Sequence, residues 1–172
     1  MKLGQVVEWE HDVLPSWRSA ACNSSHTNSD IWSRLPQGVC WVKGQIELQD
    51  LTQLFVVGSQ DWHEVFGSYQ LQAVAEKYMA DLCNQKASVG TDDEYRHHTR
   101  ISRLIESLQH DASHISPLIL AAANVQGPMV LLDGNHRALA LWQLKKLAGQ
   151  SCFLGLHSKM ASDFLWMRRA LA

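Results

Sequence analysis

The 172-residue chain lacks an excess of either charge: 15 Lys and Arg stand against 17 Asp and Glu, a formal charge of -2 with histidine neutral. Such a balance gives no general field to attract duplex nucleic acid or anionic lipid, so a nucleic-acid partner is not expected. Cysteine is scarce. Cys22, Cys40, Cys83 and Cys152 form no C-x-x-C pair, which argues against a zinc ribbon or a thioredoxin-like redox motif and predicts reduced, mostly buried thiols. No apolar run approaches the roughly 18 residues of a membrane span. The first residues also lack the apolar stretch of a signal peptide, so a cytoplasmic protein with no membrane partner is expected. With four Pro and ten Gly, the chain has neither a low-complexity tract nor an internal repeat.

What is present suffices for one core without disulfides or metals: 46% of residues are apolar, and seven are Trp. Residues 1–38, rich in Ser, Asn and Trp, show no helical or strand period and read as a loop-rich arm before a single domain at 39–172. The stretch "GVCWVKGQIELQDL" predicts two short strands in a hairpin around Lys43 and Gly44. Leu71, Val74, Ala75, Tyr78 and Leu82 share one face of a helix. Beyond a loop at "KASVG", Asp92 or Asp93 is the expected N-cap of a second helix that buries Ile101, Leu104, Ile105 and Leu108. Pro117 forces that helix to end before it. "PLILAAANV" and "MVLL" then read as strands joined by a turn at Gln126 to Pro128. A third helix carries Ala138, Leu141, Trp142 and Leu144 and is closed by Gly149, "CFLGLH" is a further strand, and Ser158 or Ser162 caps a last helix. The predicted class is α+β, a small mixed sheet flanked by helices.

The chemistry gathers in "VLLDGNHRALAL", where an apolar strand breaks at Asp133-Gly134-Asn135-His136-Arg137 and resumes as a helix. Two readings fit. In one, Asp133 or Asn135 caps the helix and Arg137 is solvated. In the other, free N–H groups at the helix start bind an anion, Gly134 lets a ligand approach closely, Arg137 adds a forked cation and His136 moves a proton.

This turn resembles the signature of the ParB/sulfiredoxin superfamily, in which a strand runs into a Gly-x-His-Arg or Gly-x-Arg-Arg turn and then a helix. "RISRLIESLQHDASHISPLIL" has the form of the helix, proline and strand that precede the turn there. The resemblance spans roughly residues 96–171 and, more weakly, 39–60. It implies a ParB/sulfiredoxin-like fold and a bound nucleotide, with Gly134, Asn135, His136 and Arg137 at the phosphates. Arg100, Arg103 and Ser107, on one face of the preceding helix, would join them.

Sulfiredoxins carry a cysteine where this chain has Asn135, and an amide cannot serve as their nucleophile. Partitioning proteins of the superfamily carry a helix-turn-helix domain after the turn, and only about 35 residues follow Arg137, too few for that domain plus the rest of this fold. The remaining branch, resembling free amino acid kinases, implies a phosphotransferase that uses ATP or ADP with Mg2+ on a small hydroxyl-bearing molecule. Alternatives are a nucleotide-sensing or protein-binding module without turnover and an ADP-ribosyltransferase-like toxin. A kinase needs a carboxylate at the acceptor, for which the candidates are Glu47, Asp61, Glu64 and Asp133. His97, His98, His110 and His114 complete no recognised ligand spacing, so no resident metal site is expected. Trp62 reads as a residue at the rim of the core, and Arg168 and Arg169 as part of a helix docked on the sheet.

Overall fold

The computed structural model describes residues 1–21, 29–84, 91–111 and 115–172. Its frame is a six-stranded mixed sheet of β1 (Lys2–Val7), β2 (Cys40–Gln45), β3 (Leu54–Phe55), β4 (Leu118–Ala122), β5 (Met129–Asp133) and β6 (Ser151–Leu156). The strand order is β1-β2-β6-β4-β5-β3. Around it lie α1 (Leu14–Ala21), α2 (Ser29–Ser33), α3 (Gln60–Phe66), α4 (Leu71–Cys83), α5 (Asp92–His110), α6 (Asn135–Gln143), α7 (Met160–Asp163) and α8 (Leu165–Leu171). The class is α+β, as the hydrophobic pattern predicts.

Every residue of β4 is buried, as are Met129 to Leu132 of β5 and Cys152 to Gly155 of β6. Strands covered on both faces read as unbroken apolar runs, which explains why these segments do not alternate. β4 and β5 form the expected antiparallel hairpin, while β4 and β6 run parallel with α6 in the connection between β5 and β6. This arrangement brings the carboxyl end of β5 and the start of α6 beside the start of β4. α5 packs along α6 and ends at His110, before Pro117.

Several local expectations are corrected. There is no hairpin at Lys43 and Gly44, because β2 runs straight through both and pairs with β6 on one side and β1 on the other. Gly44 marks close backbone approach within a sheet: an added Cβ would lie 3.3 Å from the Lys2 carbonyl oxygen. Residues 1–38, expected as a loop-rich arm, hold β1, a π-helical turn at Trp9–Val13, α1 and α2. Five of the six β1 residues are exposed, so the strand has no buried face to impose alternation. Trp9 anchors this region against Trp32 and Trp41, with ring centroids 4.9 and 5.1 Å apart.

The caps also differ. Thr91, not Asp92 or Asp93, caps α5, its hydroxyl accepting the Glu94 N–H at 3.3 Å. α6 ends at Gln143, and the left-handed residue after it is Lys145. Gly149 instead turns the chain into β6, its N–H donating to the Ile46 carbonyl at 2.7 Å. Lys159 and Phe164, rather than Ser158 or Ser162, precede the last two helices. Cys40 and Cys83 are exposed, against the expectation of mostly buried thiols, and Cys22 lies outside the described residues. Cys152 is buried, which pushes its thiol up to about 12 and makes it inert as a nucleophile. Among the described residues no helix is long and apolar enough to cross a membrane.

Candidate functional site

At the end of β5 the chain turns through Gly134, whose φ of 88° is a left-handed conformation that side chains disfavour. Space demands glycine as well: a Cβ there would sit 2.5 Å from Leu118 Cδ2 and 2.8 Å from Arg137 Nη2. The room above Gly134 is therefore filled by the protein's own arginine. Arg137 Nη2 donates to the Pro117 carbonyl at 3.1 Å and lies 3.5 Å from Asp133 Oδ2. Its Nε is buried without an acceptor. Burial lowers the Arg137 guanidinium and raises the Asp133 carboxyl from their ordinary values, in each case against the attraction of the other.

Asn135 is committed inside the fold. Its Oδ1 accepts the Val57 N–H at 2.9 Å in a buried bond that ties the end of β3 to α6 across 78 residues of sequence. Leaving that amide without an acceptor would cost about 1–3 kcal/mol. The first-turn N–H groups of α6 have no helical acceptor, as at any helix start.

His136 leads to His97, whose place here the sequence pattern did not reveal, and through it to Asp61, one of the expected carboxylates. His136 Nε2 is 2.8 Å from His97 Nδ1, and His97 Nε2 is 3.2 Å from Asp61 Oδ2. The second contact is at ion-pair distance but off the ring N–H direction, so it acts as an electrostatic contact and not as an aligned hydrogen bond. Ser59 Oγ donates to the other Asp61 oxygen at 2.5 Å. Trp62, buried rather than at a rim, packs on both imidazoles with centroids 4.4 Å from His97 and 4.9 Å from His136. A chain Ser59–Asp61–His97–His136 thus runs from the start of α3 to the start of α6.

Burial alone would raise the Asp61 carboxyl, but the His97 and Ser59 contacts outweigh it and hold the group well below the carboxylate range. Burial, with His97 and Arg100 adding to it, pushes the His136 imidazole well below its ordinary value. With the His97 proton on Nε2, its Nδ1 accepts from His136 Nε2–H and the His136 lone pair is on Nδ1. The arrangement is that of a base oriented by a second imidazole and a carboxylate.

These shifts set an acid limit on stability. His136 on α6 and His98 on α5 are depressed below 6.5 by burial, so beneath that pH the unfolded chain binds more protons than the folded one. The Asp61 contribution is lost only below its ordinary 3.8, and Asp133, raised from 3.8, works in the opposite direction. Urea midpoints are expected to be level from about pH 8 to 7 and to fall between about pH 6.5 and 5. A midpoint unchanged down to pH 5 would contradict buried neutral imidazoles.

Of the other expected site residues, Arg100 is exposed on α5, near enough for its charge to bear on Asp133, His136 and Arg137. Arg96, one turn earlier, also acts on His136 while pairing with Asp93. Arg103 and Ser107 are exposed farther along α5, with no contact to the turn among the described residues. Glu47 is remote. It lies 3.1 Å from the Met1 ammonium beyond the end of β2, which β6 and β4 separate from β5. Glu64 pairs with Gln60 on the exposed side of α3. His110 ends α5, and His114 lies outside the described residues. A cavity of about 560 Å³, lined by His63, Tyr69, Gln70 and Arg169 among others, adjoins α3 but includes none of residues 133–137. Compared with protein families, curated proteins and solved structures, the chain matches none.

Proposed function

We propose that the chain is a nucleotide-dependent phosphotransferase that places the phosphates of ATP or ADP at the start of α6 and transfers one to a small hydroxyl-bearing acceptor. The observation that carries this reading is the Asp61–His97–His136 chain, which ends in the first turn of α6 where the charge of Arg100 also bears. The first-turn amides and Arg100 supply donors and positive charge for a phosphate. The resemblance of the Asp133-to-Arg137 turn to ParB/sulfiredoxin proteins supports a nucleotide as the anion. In the step, the acceptor oxygen attacks the terminal phosphorus, the bond to the leaving phosphate oxygen breaks, and the hydroxyl proton passes to His136 Nδ1.

Magnesium fits this turn poorly. Asp133 is held beside Arg137, and Asp61 is engaged by Ser59 and His97, so neither carboxylate offers a free oxygen pair.

Arg137→Ala tests the reading badly, because that side chain covers Gly134 and holds Pro117. Arg100 is exposed on α5 and is the cleaner probe. Loss of one charge-assisted phosphate contact, worth about 1.5–3 kcal/mol, predicts roughly a tenfold or greater loss of ATP and ADP affinity for Arg100→Ala. Calorimetry measures it, with circular dichroism unchanged. Equal affinity in the variant, or no binding of either nucleotide by the native chain, would overturn the proposal. Product in stoichiometric excess over enzyme, with candidate acceptors present, separates turnover from nucleotide sensing.

A further inference from the structure

A second cluster of chemistry lies between α4 and α5 and takes no part in the turn. Asp81, on α4, is 2% exposed, and His98, on α5, is also 2% exposed. Glu94 stands one helical turn before His98, at i and i+4, so both side chains share a face of α5. One ligand atom from each of the three lies within 4.8 Å of those of the other two.

Part of this arrangement has an ordinary explanation. Lys77, one turn earlier on α4, pairs with both oxygens of Asp81 and accounts for the buried carboxylate. It leaves His98 unexplained. That ring stacks on Tyr78 at 5.0 Å and packs near Phe66 at 5.7 Å, yet neither nitrogen has a hydrogen-bond partner. Nε2 points toward Asp81 at 3.5 Å without bonding to it. A buried imidazole with two unsatisfied nitrogens is costly unless something absent from the polypeptide completes it.

We propose that Asp81, Glu94 and His98 form a binding site for a divalent transition ion of the Zn2+ or Co2+ class, which clamps α4 to α5. One imidazole nitrogen and two carboxylate oxygens favour such an ion over Ca2+ or Mg2+, which prefer all-oxygen shells. Metal–ligand bonds of about 2.0–2.2 Å need the three donors drawn around one centre, an adjustment that side-chain torsions can supply. The Lys77 side chain, 41% exposed, has room to leave as the ion enters. Three protein ligands leave a coordination position for water. Because α5 also carries His97 and Arg100, the clamp fixes the helix that serves the turn, but the site stands independently of the nucleotide reading.

The test uses the full chain stripped with a chelator and titrated with Co2+ and Zn2+. Expected are one equivalent bound per chain, ligand-field absorption of Co2+ in a low-coordinate site, and a higher melting temperature. Glu94→Gln, a half-buried change that preserves shape, is expected to weaken binding by at least about tenfold, and His98→Phe to abolish it. Lys77→Met, which removes the competing ammonium, is expected to tighten it. Failure of the native chain to bind an equivalent at micromolar metal would overturn the proposal, and so would the same affinity in Glu94→Gln. The latter variant decides the matter if His98→Phe does not fold.

Discussion

Gly58→Ala is expected to destabilise the chain by about 3 kcal/mol or more and to release α8 from its seat, because Gly58 is buried in the irregular segment between β3 and α3. A Cβ at Gly58 would stand 2.2 Å from the Trp166 carbonyl oxygen and 2.8 Å from the Ala170 nitrogen. Both are backbone atoms of α8 and cannot rotate aside. Met167 and Ala170 bury the inner face of that helix, so moving it outward exposes core. Gly67 provides the contrast. Its φ of 68° makes alanine awkward, but nothing lies within 4 Å of the added Cβ, and the cost is only the left-handed conformation, about 1–2 kcal/mol. Urea denaturation of the two variants measures the difference, and equal losses would refute the steric account. The consequence reaches the site, since Val57 beside Gly58 donates to Asn135 and Ser59 donates to Asp61.

What the sequence made legible follows the physics of burial. β4, β5 and β6 are dense apolar runs, and α4 and α5 show their buried face in spacing, so their positions could be read without tertiary knowledge. β1 could not, because an edge strand with one buried residue leaves no pattern. The caps failed for a related reason: Thr91, Asp92 and Asp93 are all good capping residues, and only the backbone path selects among them. In the turn, the demand for glycine at position 134 was visible. The commitments of its neighbours were not. Asn135 answers to Val57 and Arg137 to Pro117, partners 78 and 20 residues away. His97 was passed over as one of a histidine pair in "RHHTR". Its spacing of three from Arg100 is the available signal that it faces the same turn. Asp61, chosen among several carboxylates by position, stands 3.2 Å from that imidazole.

His136→Gln, on the phosphotransferase reading, is expected to lower kcat by roughly 10²- to 10⁴-fold, the usual worth of a positioned general base, while nucleotide affinity changes little. Glutamine can keep a contact to His97 but cannot accept the acceptor's proton. His97→Gln should cost less, because it removes the group that orients His136 and leaves the base in place. Asp61→Asn should cost less again, since Asp61 meets His136 only through His97. The decisive measurement is the double variant Asp61→Asn/His136→Gln. If Asp61 acts through the imidazoles, removing it after His136 is gone costs nearly nothing, and the two effects do not add. Additive losses would mean that Asp61 touches the substrate by another route. A fall in stability equal to the fall in activity would reduce the chain to a structural element holding α3, α5 and α6 together. The separation between those outcomes is large, because the contacts of Trp62 with both imidazoles preserve most of the packing when a single polar group is exchanged for an amide.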